Sequence, residues 1–200
     1  MIGLSDYAPI VGPEVIGQLQ RLAEALSHRR FVHINSTRTG GGVAEILNRA
    51  VPLLNQLGLE THWEVIEGDS FFFEITKAMH NALQGYKIPF TQAMFDHYRE
   101  VNLENARRAA WEADYVLLHD PQPAYMITAL RPRAKNWVWR CHIDVSRPNF
   151  QVWRFLREVV SRYDASVFSM SQFAQNLPHP QYIFRPSIDP LSEKNRELTP

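Results

Sequence analysis

The chain has 200 residues, of which 45% are hydrophobic and 21% are charged, the balance expected of a globular protein with a buried core. Lys and Arg together number 21, as do Asp and Glu, so the formal net charge is zero and a nucleic-acid-binding protein is not favoured. No apolar run reaches the roughly 18 to 20 residues that cross a bilayer, so a membrane protein is not favoured either.

The N-terminus and the cysteine content bear on location. The first residues, MIGLSDYAPIVGPEVI, contain neither the cationic segment nor the apolar segment of a secretory signal. The single cysteine, Cys141, has no partner for an internal disulfide. A reducing, cytoplasmic location is the simplest interpretation.

The first half of the chain begins with residues 1–12, a short mixed segment interpreted as an N-terminal arm. Periodic apolar positions and β-branched runs then predict alternating elements. These are a helix, a strand, a glycine turn, a helix, a strand and two more helices, over residues 13–28, 31–37, 40–42, 43–58, 61–68, 70–84 and 91–112.

The second half continues the alternation and ends in a polar tail. Its predicted elements are a strand, a short helix, a strand, a helix and two strands, over residues 113–120, 122–130, 136–144, 150–163, 165–170 and 181–188. This alternation predicts an α/β domain over residues 13–186, with a Rossmann-like, doubly wound parallel sheet of at least five strands. The tail, residues 187–200, is interpreted as a linker.

Ligands of open parallel sheets bind outside the carboxyl ends of the strands. Three stretches follow predicted strands and carry polar side chains, residues 37–45, 119–122 and 142–149. Because carboxyl ends of parallel strands lie at one edge of the sheet, the coincidence of the three stretches favours a site there.

The first stretch contains Gly40, Gly41 and Gly42 between a strand and a helix. Three glycines allow the backbone to approach a phosphate or a sugar closely, and the helix that follows offers free N–H groups. The spacing matches neither the dinucleotide-binding GxGxxG pattern nor a Walker loop. A tight turn without a ligand is the alternative, at about even odds.

The second stretch, HDPQPA, is a proline-stiffened loop at the end of a buried strand. His119, Asp120 and Gln122 could hydrogen-bond sugar hydroxyls, which need paired donors and acceptors. For Asp120 an alternative is equally favoured, namely that it caps the helix that follows.

The third stretch, CHIDVSRPN, places Cys141 beside His142. Neighbours on a strand point to opposite faces, so we expect Cys141 in the core and no thiol–imidazole pair. His142 and Asp144 lie two residues apart and share a side. A hydrogen-bonded histidine at a strand end, without a ligand, is the alternative for His142.

Patterns for other chemistries are missing from the sequence. The eight histidines show no HxxxH or HExxH spacing, so no metal site is predicted. There is no GxSxG nucleophile elbow and no DxD pair of the kind that binds a nucleotide diphosphate through a metal.

Five segments in order resemble one family: GGGVAEIL, HNALQG, HDPQPA, HIDVSRPN and PSIDPLSEKN. The chain is similar, from about residue 13 to residue 196, to the archaeal and bacterial glycosyl-transferring trehalose synthases. The resemblance implies the N-terminal, acceptor-binding half of a retaining GT-B enzyme, which moves glucose from a nucleoside diphosphate glucose onto glucose.

The resemblance also implies roles for the candidate residues. The turn of Gly40, Gly41 and Gly42 would approach the donor phosphates and the acceptor. His142 would open an HxxxxxxN stretch that ends at Asn149 and would lie beside the donor sugar as the catalytic residue. The other five candidates would bind substrate. Asp120, Gln122 and Asp144 would line the acceptor glucose pocket, and Glu45 would face the same cleft. Arg38 would lie near the anion.

The family's C-terminal nucleotide-binding domain is not present in this chain, so the resemblance implies a half that is inactive alone. It implies no tightly bound cofactor, a nucleoside diphosphate glucose donor with Mg²⁺ assistance left open, and glucose or trehalose as ligand. A homodimer stays open, as do the nucleotide base and whether the chain is a natural truncation. The related enzymes cover this half with their last helix, so an uncovered apolar patch is expected. A retaining trehalose phosphorylase and a stand-alone sugar-binding or assembly module are the alternatives.

Overall fold

The computed structural model describes residues 2–195 and, within them, a parallel sheet of six strands accompanied by seven α-helices. The strands are β1 to β6, at Arg30–Asn35, Glu60–Val65, Ala113–His119, Ala134–Cys141, Ala165–Phe168 and Gln181–Ile183. The helices are α1 to α7, at Leu4–Val11, Pro13–Glu24, Gly42–Gln56, Ser70–Leu83, Gln92–Arg108, Ile127–Leu130 and Phe150–Val160. Short 3-10 turns lie at Ala124–Met126, Arg131–Arg133, Ser171–Phe173 and Glu193–Asn195.

The strand order is β2-β1-β3-β4-β5-β6, and all five pairings are parallel. The chain leaves β1 toward β2 on one side and returns to β3 on the other. Since parallel crossovers are right-handed, this reversal places α3 on one face of the sheet and α4 to α7 on the other. The predicted Rossmann-like, doubly wound parallel sheet is confirmed, as is the minimum of five strands.

The core lies on the face covered by α4, α5 and α7. Alternate strand residues point into it, among them Val32, Val116 and the fully buried Trp137 and Trp139. Cys141 is buried there too, as the sequence predicts, and it is a free thiol. Its burial raises the pKa of the thiol well above the ordinary value.

The opposite face of the sheet is covered less completely. Leu117, Val138 and Val167 alternate with core residues along their strands and are only partly buried. This face therefore presents apolar surface to solvent in the part of the chain that the structure describes. Elsewhere, Leu19 and Leu22 of α2 are 39% and 60% exposed.

Several predicted boundaries change in the structure, among them the following. The last strand, predicted over residues 181–188, ends at Ile183, because β5 beside it stops at Phe168 and Pro186 has no N–H to continue a ladder. The helix predicted over residues 91–112 ends at Arg108, where Ala109 turns to an extended conformation. The predicted arm, residues 1–12, contains α1.

The tail predicted as a linker lies along α3 as far as it is described. Asp189 pairs with Arg49 at 3.1 Å and accepts a hydrogen bond from Tyr7 of α1 at 3.0 Å. Lys194 pairs with Glu45 at the start of α3. Residues 196–200 of the predicted linker lie outside the described residues.

Polar side chains of α5 hydrogen-bond the backbone of the loop that follows β3. The buried Tyr98 donates its hydroxyl hydrogen to the carbonyl of Pro121 at 2.6 Å, and Asn102 donates to the carbonyl of Gln122 at 3.1 Å. Because buried carbonyls left unpaired are costly, these bonds fix the position of the loop. The loop after β3, which borders the candidate site, is thus fixed to α5.

Candidate functional site

The strand order reverses between β1 and β3, and the carboxyl end of this switch point is where doubly wound sheets bind ligands. The loops after β1 and β3 border the crevice, and the loop after β4 lies next to them. These are the three stretches that the sequence selects. The fold therefore brings the candidate residues to one edge of the sheet.

The glycine turn enters α3 through backbone that only glycine adopts readily. Gly40 and Gly41 have φ of 75° and 81°, and Gly41 has ψ of 153°. No heavy atom lies within 4 Å of where a Cβ would be built at Gly40, Gly41 or Gly42. The turn is therefore open on its outer side, and the positive φ of Gly40 and Gly41, not a lack of space, favours glycine at these two positions.

Arg38 and Glu45, on either side of the turn, both have protein partners. The Arg38 guanidinium lies 4.2 Å over the ring of Trp63 on β2 and donates to the Trp63 carbonyl at 2.9 Å. Glu45 pairs with Lys194 on the surface. Both side chains are exposed, so these contacts orient them without burying them.

Asp120 joins the ends of β3 and β4. Its Oδ1 accepts the backbone N–H of His142 at 2.7 Å, and its own N–H donates to the carbonyl of Arg140 at 2.9 Å. Its carbonyl accepts the indole N–H of Trp139 at 3.0 Å. The alternative that Asp120 caps the following helix is wrong, because its carboxylate receives the N–H of His142 instead.

Asp120 carries two further signs of constraint. Its φ is +63°, uncommon for a residue other than glycine. Burial raises the pKa of its carboxyl to about 7, although the His142 N–H and the nearby Arg140 cation favour the ionised form. Backbone geometry and electrostatics thus both show a side chain held in place by its surroundings.

His142 lies directly after β4 and ends a chain of three histidines. His33 Nδ1 is 3.0 Å from His119 Nε2, and His119 Nδ1 is 2.9 Å from His142 Nε2. The rings stack with centroids 5.3 and 5.2 Å apart. The three residues come from β1, β3 and β4, so the chain of rings runs across the switch point.

All three imidazoles are in surroundings that favour the neutral form. Burial lowers the pKa of His33 and of His142 to about 4, with Arg140 adding to the effect at His142. Burial, the other two histidines and Arg140 lower the pKa of His119 further. At neutral pH each ring therefore carries one proton.

Arg140 is a buried cation on the same side of the sheet as His119, with which it is in register. Its guanidinium donates to the carbonyl of Phe184 at 2.9 Å and lies 3.5 Å from Ser169 Oγ. Its second terminal nitrogen is buried and has no hydrogen-bond partner among the described residues. Arg140 thus keeps a positive charge beneath Asp120 and the histidines.

The other predicted residues bond to nearby backbone. Asn149 is the N-cap of α7 and accepts the N–H groups of Gln151 and Val152 at 3.0 and 3.3 Å. Asp144 accepts the N–H of Ser146 at 2.8 Å and closes a turn. The partly buried Gln122 contributes its carbonyl to the bond with Asn102.

Two of the segments that carry the family resemblance contact each other at this edge. The N–H of Asn149 donates to the carbonyl of Ala82 at 2.8 Å. Gly85, with φ of 99°, lies where a Cβ would come within 3.1 Å of the carbonyl of Arg147. The segment at residues 80–85 therefore supports the loop after β4, a role that its sequence alone did not indicate.

Sequence reasoning did not identify His33 or Arg140 as parts of the site. His33 lies 86 residues from its partner His119, and no spacing rule joins them. A signal becomes visible only when the strand order is known, because His33 is in register with Leu117, two residues before His119.

Two open clefts lie at the opposite, amino edge of the sheet. Their volumes are about 450 and 470 Å³, and both are lined by Arg30, Glu112 and Arg133. Charged groups there pair with one another, as Arg30 does with Glu60 at 3.5 Å. We do not place the functional site in them, because the constrained backbone and the buried polar groups lie at the other edge.

Residues 2–195 contain neither a cluster suited to a metal ion nor a helix suited to span a membrane. No cluster of three or more His, Cys, Asp or Glu side chains is arranged to hold a metal ion. No helix there has both the length and the apolar character needed to cross a membrane.

The fold defines the chain as a Rossmann-like α/β domain with a candidate ligand site at the carboxyl edge of its switch point. The chain belongs to the family described as trehalose synthase, N-terminal domain, whose model matches residues 33–175.

Similar proteins carry two names. The chain is 48% identical over 200 residues to a trehalose synthase of Thermococcus litoralis and 41% identical over 204 residues to that of Rubrobacter xylanophilus. Each match covers 98% of this chain and 48% or 49% of the relative, so the chain spans about half their length. A trehalose phosphorylase of Pleurotus pulmonarius is 28% identical over 177 residues, covering 76% of this chain and 24% of that protein.

Substitutions of Asp120 and His33 are expected to change the pH dependence of stability in opposite directions. His33 has a pKa of about 4 when folded and 6.5 when free, so between these pH values the unfolded state binds more protons and the free energy of unfolding rises with pH. Asp120 has a pKa of about 7 when folded and 3.8 when free. Between these pH values the folded state binds more protons, so Asp120 lowers the slope of the free energy of unfolding against pH.

Between pH 4 and 6.5 we therefore expect His33→Gln to reduce the slope by about 1.4 kcal/mol per pH unit, and Asp120→Asn to increase it by a similar amount. Urea unfolding at several pH values measures both slopes. Equal shifts of the two variants in one direction would contradict the assignment of their charges.

The glycine turn offers a matched pair of substitutions. Gly41→Ala should lower the free energy of unfolding by on the order of 1–3 kcal/mol, because a Cβ is strained in that backbone region. Gly42→Ala should leave stability unchanged or slightly raised, since Gly42 begins α3 without a positive φ and has open space around it. Chemical denaturation measures the difference, and equal losses would show that φ does not explain these glycines.

Proposed function

We propose that this chain is the acceptor-side domain of a retaining glucosyltransferase, which makes trehalose from a nucleoside diphosphate glucose and glucose. The observation that carries the proposal is that the glycine turn, Asp120 and His142 meet at one sheet edge in a chain of the trehalose synthase N-terminal-domain family. Because the chain spans about half of its relatives, the donor nucleotide belongs to a second domain in this proposal. The isolated chain is then inactive.

In this proposal His142 hydrogen-bonds the donor sugar and does not abstract a proton. Its lowered pKa supports a neutral imidazole, which can donate from one nitrogen and accept at the other. The departing phosphate takes the proton of the attacking hydroxyl on the same face of the sugar, so no covalent nucleophile is needed. Stabilisation of the leaving diphosphate then comes mainly from the second domain.

The other candidate residues have smaller roles. The open turn of Gly40, Gly41 and Gly42 admits the phosphates or the acceptor, and Arg38 beside it supplies positive charge. Asp120 acts by fixing the backbone of His142, and its second carboxyl oxygen is the one left for an acceptor hydroxyl. Gln122, Asp144 and Glu45 border the acceptor pocket, and Asn149 shapes the loop that holds His142.

The complete protein that contains this chain tests the proposal. Incubated with glucose and a set of nucleoside diphosphate glucoses, it should release nucleoside diphosphate and form trehalose that keeps the anomeric configuration of the donor, as followed by proton NMR. The chain alone should show no turnover under the same conditions. Trehalose made by the chain alone would refute the assignment of the donor site to a second domain.

A trehalose phosphorylase is the second candidate, favoured by the relative from Pleurotus pulmonarius. The same protein would then split trehalose only when inorganic phosphate is added and would ignore nucleoside diphosphate glucose. A stand-alone sugar-binding module would bind glucose or trehalose without turnover of either donor.

His142→Ala in the complete protein should lower kcat on the order of 10²-fold or more, with the glucose KM less affected, because the lost contact strengthens in the transition state. His62→Ala is the matched control, an exposed histidine on β2 of the same sheet. Nearly normal kcat with reduced thermal stability would move His142 out of the catalytic centre.

A further inference from the structure

Three imidazoles that hydrogen-bond in series cannot choose their tautomers independently. His119 is the middle ring and uses both nitrogens, Nε2 toward His33 and Nδ1 toward His142. A neutral ring has one N–H and one bare nitrogen, so His119 donates to one neighbour and accepts from the other. Hence the three rings either all carry the proton on Nδ1 or all carry it on Nε2.

We propose that His33 and His119 are positioning residues, which hold the His142 ring in one orientation and couple its tautomer to their own. His142 Nε2 is committed to His119, so Nδ1 is the nitrogen outside the chain of rings. In one state of the chain Nδ1 presents a donor to a ligand, and in the other state it presents an acceptor. A ligand that hydrogen-bonds to Nδ1 thereby selects the state of all three rings.

The energetics of burial favour this role over simple filling of space. His33 and His119 are 8% and 5% exposed and lie on the partly buried face of the sheet, where the preceding residue on the same side of each strand is apolar, Phe31 and Leu117. An apolar residue in either place would pack without the desolvation cost of an imidazole. The series of hydrogen-bonded imidazoles ends at a residue of the candidate site. The hydrogen bond at one ring nitrogen determines whether the other nitrogen carries a proton, so the buried rings can set the protonation of His142 Nδ1.

The charges around the chain also support a fixed neutral state. Arg140 lies on the same face and disfavours protonation of His119 and His142. Asp120 engages the backbone N–H of His142 and holds the residue without contacting its ring nitrogens in the described structure. The ring is therefore oriented by His119 and the backbone by Asp120, two separate restraints on one residue.

The first test needs no substitution. In the complete protein labelled with ¹⁵N-histidine, long-range proton–nitrogen correlation spectra distinguish a protonated ring nitrogen from a bare one. The expected result is that His33, His119 and His142 each show a single tautomer and that all three carry the proton on the same-named nitrogen. A tautomer ratio at His142 that differs from the ratio at His33 or His119, or different protonated nitrogens at His119 and His142, overturns the proposal.

A matched pair of variants then tests the coupling. The amide of an asparagine lies near the place of Nδ1 and that of a glutamine near the place of Nε2. His119→Asn should therefore keep a partner for His142, whereas His119→Gln should keep one for His33 and release His142. The expected result is averaged nitrogen signals for His142 in His119→Gln alone, with kcat lowered on the order of tenfold or more and the glucose KM changed little.

Equal spectra and equal kcat for these two variants would show that His119 only fills space. The effect on kcat rests on the proposed function, but the spectra do not. If His142→Ala left activity intact while the three tautomers still agreed, the role of His142 in catalysis would fail and the coupling of the rings would stand.

Discussion

A buried carboxylate joins the ends of two neighbouring strands, and the candidate site is built around it. Asp120 receives the N–H of His142, donates its own N–H to Arg140 and accepts the indole N–H of Trp139. Three bonds from one residue leave the loops after β3 and β4 little freedom. The helices add to this restraint, because Tyr98 and Asn102 fix the carbonyls that follow Asp120.

The polar groups at this edge are costly to bury in their charged forms, and burial shifts their pKa values toward the neutral forms. Histidines lose protons on burial and a carboxyl gains one, so Asp120 and the three rings move toward neutrality from opposite sides. Arg140 keeps its charge and lowers the proton affinity of its neighbours. The outcome is an edge whose three imidazoles are neutral and hydrogen-bonded in series at neutral pH.

Most of the fold follows from local patterns in the sequence. β3 and β4 contain the apolar runs YVLL and WVW because both their faces are covered or half covered, and such runs are recognisable without an alignment. The convergence of the candidate residues at one edge was predicted by the same logic, since polar residues follow three parallel strands whose carboxyl ends lie at the same edge. What the pattern did not contain was the role of each polar residue.

The roles of the polar residues could not be predicted for two reasons. The first is that short polar side chains accept hydrogen bonds from the nearest backbone N–H groups as readily as from a ligand, and the local sequence is the same in both cases. Asn149 and Asp144 are examples. The second reason is that a hydrogen-bond partner can lie in another strand. The contact of His33 with His119 therefore depends on the register of the strands. Parallel pairing of β1 with β3 sets His33 against Leu117 and so brings the next residue on that face, His119, within hydrogen-bond reach. A site of this kind is therefore encoded in the order of the strands, and each histidine by itself remains an ordinary buried polar residue.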